Sequence, residues 1–121
     1  MLKAAIPKRF VVKSKTRCEV LIDIDLSQLA IHASEAENLM KAMSNQHRLM
    51  ILCTLHDGEL SVGELNERIP LSQSSLSQHL GTLRKAGLVE TRRDAQTIYY
   101  RMDNPRAKAI IHTLHGMFCA A

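Results

Sequence analysis

Apolar residues recur at helical spacing in successive blocks along the chain, separated by polar or glycine breaks. Leu29, Ala33, Ala36, Leu39, Met40 and Met43 follow one another mainly at three- and four-residue intervals, which predicts a helix from about Leu29 to Met43. Ser44 and Asn45 then offer a break and an N-cap. Behind them Leu49, Ile51, Leu52, Cys53 and Leu55 predict a second, largely buried helix from about Gln46 to His56. Asp57 and Gly58 stop it, because glycine adopts the left-handed backbone needed just past a helix end. Ser61 and Glu64 have the spacing of a capping box, with Val62, Leu65 and Ile69 on the apolar face of a short helix that Pro70 ends. Ser72 starts the next helix. There Leu76, Leu80 and Leu83 take the core face, while Gln73, Ser74, Ser77, Gln78 and Arg84 take exposed or flanking positions, until Gly87 closes it.

The period then changes. Leu88 to Arg93 and Thr97 to Arg101 read as two strands joined through Asp94, Ala95 and Gln96, a β-hairpin. Asn104 and Pro105 fit a cap and first-turn position for a terminal helix with Ala107, Ile111, Leu114 and Phe118 on one face. The predicted order is helix, helix, short helix, longer polar helix, hairpin, helix. It describes a mainly α chain with a small β-hairpin, the order of a winged helix-turn-helix. The first and last helices carry more apolar surface than a small core consumes, so Leu39, Ile111, Leu114 and Phe118 are the expected dimerisation residues of a homodimer.

With 121 residues there is room for one core, expected over 31–119 behind an N-terminal extension of 1–30 that is flexible or forms a short added helix. Aromatics are 3% of the chain and tryptophan is absent, so packing relies on Leu, Ile, Met, Val and Ala. Sixteen Lys and Arg against twelve Asp and Glu give a net charge of +4, a bias that permits DNA contact without demonstrating it. Part of it lies in the extension, at Lys3, Lys8, Arg9, Lys13, Lys15 and Arg17. No run approaches the about 18 apolar residues of a membrane span, and no signal-peptide pattern opens the chain. A cytoplasmic location without membrane contact is expected. Three cysteines, Cys18, Cys53 and Cys119, are too few for a disulfide-built scaffold and leave one unpaired after any internal bridge.

A helix enters the major groove when its core face holds it to the domain and its opposite face presents groups that read base edges. The Ser72 to Ala86 segment meets that condition through Gln73, Ser74, Ser75, Ser77, Gln78 and His79, with glutamine suited to paired hydrogen bonds on adenine. Alone, such a row is an ordinary solvated face. Its place after a short capped helix and before a basic hairpin favours DNA. Arg92 and Arg93 are candidate phosphate or minor-groove contacts, with Gln96 and Thr97 near the hairpin tip; the competing role is to keep a β-edge soluble. Arg84 and Lys85 either touch phosphate or simply end their helix with favourable charge.

The stretches Lys41-Ala42-Met43-Ser44 through Arg48, Glu59-Leu60-Ser61-Val62-Gly63-Glu64-Leu65, Leu71-Ser72-Gln73-Ser74 and Leu76-Ser77-Gln78-His79-Leu80 resemble the ArsR/SmtB family of bacterial winged-helix repressors. Leu83-Arg84, Gly87-Leu88-Val89 and Arg92 to Thr97 extend the likeness, which covers about residues 31 to 119. The family's thiolate metal sensors carry two cysteines in the short helix, where this chain has Ser61 and Gly63, so that metal site is absent. The terminal helix also lacks the family's zinc arrangement in its usual register. No cofactor is implied and no metal ligand is assigned. Cys53 and Cys119 instead resemble the paired cysteines of the family's reactive-sulfur-sensing branch. The resemblance implies that a reactive sulfur species links the two thiols by a disulfide or polysulfide and weakens operator binding. A direct disulfide needs Cα atoms about 4.4 to 6.8 Å apart, while added sulfurs span a wider gap. Taken singly, Cys53 reads as a packed small hydrophobe and Cys119 as an inert terminal thiol; Cys18 has no counterpart.

The leading expectation is a transcriptional regulator on a double-stranded, palindromic operator, acting as a direct repressor or as an antagonist of a nucleoid silencer. A metal-responsive regulator with a non-standard set, for which His112 and His115 share a helix face, is the alternative, followed by a redox-insensitive or DNA-coating protein. No nucleophile-base-orienter set or phosphate loop points to an enzyme.

Overall fold

The computed structural model describes residues 25–119. The basic residues from Lys3 to Arg17, Cys18 and most of the extension lie outside the described residues. The chain divides into two units, ending at Asn38 and starting at Leu39. In the first, Asp25 carries a helix-start signal that apolar spacing does not reveal. Its Oδ1 accepts the Ser27 N–H at 2.9 Å and its carbonyl accepts the Leu29 N–H at 2.9 Å, so α1 (Leu26–Met43) begins ahead of Leu29. Leu29 and Ile31 are exposed.

In the second unit each α-helix starts where its cap was expected. Asn45 Oδ1 accepts the N–H groups of His47 and Arg48 at 2.9 and 3.2 Å and opens α2 (Gln46–Thr54), which tightens into a 3-10 turn over Leu55–Asp57. Arg48 turns back and donates from Nε to the Ala42 carbonyl at 2.7 Å, placing a cation on the C-terminal end of α1. The capping box is complete: Glu64 donates its N–H to Ser61 Oγ at 3.1 Å and accepts the Ser61 N–H at 3.0 Å, starting α3 (Val62–Arg68). Ser72 Oγ accepts the Ser75 N–H at 3.2 Å at the start of α4 (Gln73–Lys85). The end of α4 needs a positive φ, and Gly87 supplies it at +75°. The Gly87 and Leu88 N–H groups then reach the carbonyls of Arg84 and Leu83, each at 3.0 Å, closing a Schellman motif. Asn104 caps the Arg106 and Ala107 N–H groups, with Pro105 in the first turn of α5 (Pro105–Phe118).

The hairpin joins β2 (Val89–Asp94) to β3 (Thr97–Met102). Its link is shorter than the expected three residues, because Asp94 pairs with Thr97 and only Ala95 and Gln96 turn the chain. Ala95 takes φ +56°, a left-handed conformation that costs an alanine about 1 kcal/mol. A two-residue strand, β1 (Leu60–Ser61), was not expected. It pairs Leu60 with Tyr100 and Ser61 with Tyr99, giving an antiparallel sheet in the order β1-β3-β2. Ser61 therefore both ends a strand and caps a helix, and it is buried.

The core draws on every element of this unit, with Ile51, Leu52, Leu65, Leu76, Leu80, Leu83, Leu88 and Ile111 fully buried. Each such side chain contributes about 1.5–3 kcal/mol of transfer free energy. Two expectations are corrected. Cys53 is exposed rather than buried with its helix, because Ile51 and Leu52 turn inward and leave it on the outer side of α2. Ile111 lies wholly in the protomer core, so it has no surface to offer a second copy.

Candidate functional site

Three leucines anchor α4 along one side, and the opposite side carries the amide and hydroxyl row. Gln73, Ser74, Ser77 and Gln78 are exposed, whereas Ser75 and His79 are half-buried. Ser75 is drawn into the helix start, where the Ser72 hydroxyl donates to its Oγ at 3.0 Å. The His79 ring lies 5.7 Å from that of His47 on α2. Desolvation, and then the charges of Arg48 and His47, push the His79 pKa below the ordinary histidine value. That shift favours the neutral imidazole, which has one donor and one acceptor nitrogen. Of the six residues of that row, Gln73, Ser74, Ser77 and Gln78 stay exposed, Ser74 with its Oγ 3.3 Å from Ser72 Oγ, and the two amides can make paired contacts with a base.

The wing treats its two adjacent arginines differently. Arg92 donates from Nε to both Glu59 carboxylate oxygens at 3.1 and 3.2 Å and from Nη2 to Oε1 at 2.7 Å. Its guanidinium also lies over the Tyr99 ring, 4.5 Å from the centroid. The hydrogen bond from Arg92, and then the charges of Arg92 and Arg101, hold the Glu59 carboxyl below the usual carboxylate range. Sequence alone did not single out Glu59, since nothing local marks a residue whose partner lies 33 positions away. Beside this pair Arg101 bonds Glu90. Arg93 is exposed and, among the described residues, has no ion-pair partner. Gln96 and Thr97 are exposed at the tip. Arg84, also exposed, lines an open cleft of about 480 Å³ with Gly87, Val89, Glu90, Thr91 and Asp103.

A different chemistry gathers where α2 and α5 pack together. Cys53 occupies the last turn of α2, and Cys119 caps α5 by donating its N–H to the His115 carbonyl at 2.8 Å. Both are free, exposed thiols. Partial desolvation, and then the charge of a Cys119 thiolate, push the Cys53 pKa up. Cys53 also lines an open groove of about 660 Å³ with Ser44, Asn45, Gln46, Leu49 and Met50, none of them charged. His56 meets His112 and His115 edge to face, with ring centroids 5.8 and 6.2 Å away. The sequence paired only the last two. Among the described residues, no three His, Cys, Asp or Glu side chains are arranged to hold a metal ion. Of the expected dimerisation residues, Leu39 and Leu114 are half-buried against the core, whereas Phe118 is 79% exposed beside Met117. Among the described residues, no helix is long and apolar enough to cross a membrane.

A leucine-anchored helix displaying amides and hydroxyls, preceded by a short capped helix and followed by a two-stranded wing, defines a winged helix-turn-helix DNA-binding protein. The profile of the bacterial regulatory protein, arsR family, matches residues 45–91. The chain is 50% identical over 98 residues to the transcriptional activator HlyU of Vibrio cholerae, covering 81% of this chain and 91% of the relative. It is 48% identical over 88 residues to the biofilm growth-associated repressor of Xylella fastidiosa, covering 73% and 77%. Reduced HlyU from Vibrio cholerae superposes with a TM-score of 0.75 at 50% identity over 77% of this chain and 98% of that one. The repressor BigR from Xylella fastidiosa gives 0.73 at 43% identity, over 81% and 100%. The chain belongs to the ArsR family and is a sequence-specific DNA-binding regulator, not an enzyme.

Proposed function

We propose that the protein acts as a homodimer on a palindromic operator, reading bases through Gln73, Ser74, Ser77 and Gln78, and that linking Cys53 to Cys119 lowers its operator affinity. The observation that carries this reading is the placement of two exposed, free thiols, Cys53 in the last turn of α2 and Cys119 at the end of α5, on helices that pack against each other. A link there ties a helix of the DNA-binding core to the helix whose end exposes Met117 and Phe118 to a second copy. Such a tie biases the spacing of the two α4 helices, coupling thiol state to DNA.

The oxidant is a sulfane-sulfur donor R–S–SH. One protein thiolate attacks its outer sulfur and releases R–SH, leaving a protein persulfide. The second thiolate attacks the inner, protein-bound sulfur and expels HS⁻, which leaves as hydrogen sulfide after protonation. The net change is two protein thiols and one R–S–SH to one disulfide, one R–SH and one hydrogen sulfide. Each sulfur added to the bridge consumes one more R–S–SH and releases one more R–SH.

The test is operator binding by the reduced protein before and after persulfide treatment, with the bridge mass assigned on the same samples. The expected result is a Cys53–Cys119 link that lowers affinity, reverses with a thiol reductant and disappears in Cys53→Ser and Cys119→Ser. Unchanged affinity in a fully linked sample refutes the switch. A promoter assay with and without a nucleoid silencer separates direct repression from silencer displacement, because displacement loses its effect when the silencer is gone.

A further inference from the structure

We infer that the two adjacent wing arginines divide their roles: Arg93 meets a DNA phosphate, and Arg92 is a positioning residue that locks the wing to Glu59. The inference rests on the wing touching DNA.

Successive strand residues point to opposite faces, so Arg92 and Arg93 leave β2 on opposite sides. The Arg92 side carries the cross-strand pairs Glu90 with Arg101, Arg92 with Tyr99 and Asp94 with Thr97. Glu59 joins it through three hydrogen bonds of 2.7 to 3.2 Å. Asp94 approaches Arg92 to 4.0 Å, and Asp103 approaches Arg101 to 3.9 Å. Two arginines on this side therefore face four carboxylates, Glu59, Glu90, Asp94 and Asp103, a surface that repels phosphate. A phosphate reaching Arg92 must displace a two-point, charge-assisted contact and lie among those carboxylates. Arg93 meets neither obstacle. It is exposed next to the tip, opposite Ile98 in the register, with no ion-pair partner among the described residues.

The lock has a mechanical use. Glu59 immediately precedes β1 and the Ser61 cap of α3, so Arg92 fastens the outer part of the hairpin to the segment that opens the helix-turn-helix. The Tyr99 ring beneath the guanidinium keeps it flat against the sheet. A fastened wing presents Arg93 at a constant distance from α4, and a loose wing loses affinity through ordering, not through charge.

These roles separate in the salt dependence of binding. Each phosphate contact contributes about 0.9 to the slope of log affinity against log salt concentration. The experiment measures binding of the full, reduced chain to its operator and to an unrelated duplex over a potassium chloride series. Arg93→Gln is expected to flatten the slope by about 0.9 per protomer, and Arg93→Lys to keep it, because a lysine still supplies the charge. Arg92→Gln, Arg92→Lys and Glu59→Gln are each expected to keep the wild-type slope while losing about 3- to 10-fold in affinity at every salt concentration. Lysine fails at position 92 because it lacks the planar fork that grips a carboxylate at two points. The Glu59→Gln, Arg92→Gln double variant is expected to bind no more weakly than either single one. The assignment is overturned if Arg92→Gln flattens the slope as Arg93→Gln does, if Arg93→Gln leaves it unchanged, if Arg92→Lys binds like wild type, or if Glu59→Gln tightens binding. Salt-independent wild-type binding refutes wing contact itself, whereas the thiol switch stands or falls separately under oxidation.

Discussion

Helix α4 buries Leu76, Leu80 and Leu83 completely, whereas the end of α5 leaves Met117 and Phe118 68% and 79% exposed. Both helices are amphipathic and both carry candidate functional groups. The difference lies in where their apolar residues find partners. Those of α4 are satisfied within the protomer, which holds its polar row rigidly, as the proposed base reading requires. Those at the end of α5 are not, which leaves Met117, Phe118 and the Cys119 thiol exposed. A reading surface needs one geometry. The proposed switch needs an element whose position changes at small free-energy cost, which suits a helix end with exposed apolar residues.

The largest expected effect separates the two regions by stability. Leu80→Ala should cost about 2–5 kcal/mol in chemical denaturation, through lost transfer energy and a residual cavity. Phe118→Ala should stay within about 0.5 kcal/mol for the protomer and weaken self-association in sedimentation velocity. Equal costs for both would break the comparison. Next, Gln78→Ala should remove about 1–3 kcal/mol of discrimination between the operator and a site changed at one base pair. Cys119→Ser should leave that discrimination intact under reducing conditions, and its loss would mean that the α5 end also shapes the reading surface.

A smaller effect sharpens the picture of the wing. Ala95→Gly relieves the left-handed strain at φ +56° but adds freedom to the unfolded chain, for a net stabilisation of about 0.5 kcal/mol in thermal melts. A destabilised variant would show that the alanine is not strained there. The smallest effect concerns the thiols. Only a thiolate is alkylated, and the Cys53 pKa lies above the ordinary thiol value, so its alkylation should rise with pH later than that of an ordinary cysteine. Removing the neighbouring charge in Cys119→Ser should shift that rise to lower pH, a change read by mass spectrometry of timed samples. No shift would mean that desolvation alone sets the Cys53 pKa.

Helix starts and stops were legible because they depend on atoms a few residues apart. Asn45, Ser61, Ser72 and Asn104 cap the helices they were expected to cap, and the glycine at 87 ends α4 where a left-handed residue is required. The inward face of α4 followed from 3.6-residue periodicity alone, and with it the outward position of Gln73, Ser74, Ser77 and Gln78. Other features depend on residues far apart in the chain. Pairing with Tyr99 and Tyr100 makes Leu60 and Ser61 a strand, and Glu59 turns Arg92 from a free cation into a fastener. His56 joins His112 and His115 only because the turn after α2 packs beside α5. Whether an apolar or thiol-bearing residue faces inward also depends on what the neighbouring helix offers, which sends Ile111 into the core and leaves Cys53 outside it. Short-range hydrogen bonds and periodicity are written into consecutive residues; partners in an ion pair, a sheet edge or a thiol pair exist only once packing has closed the loops between them.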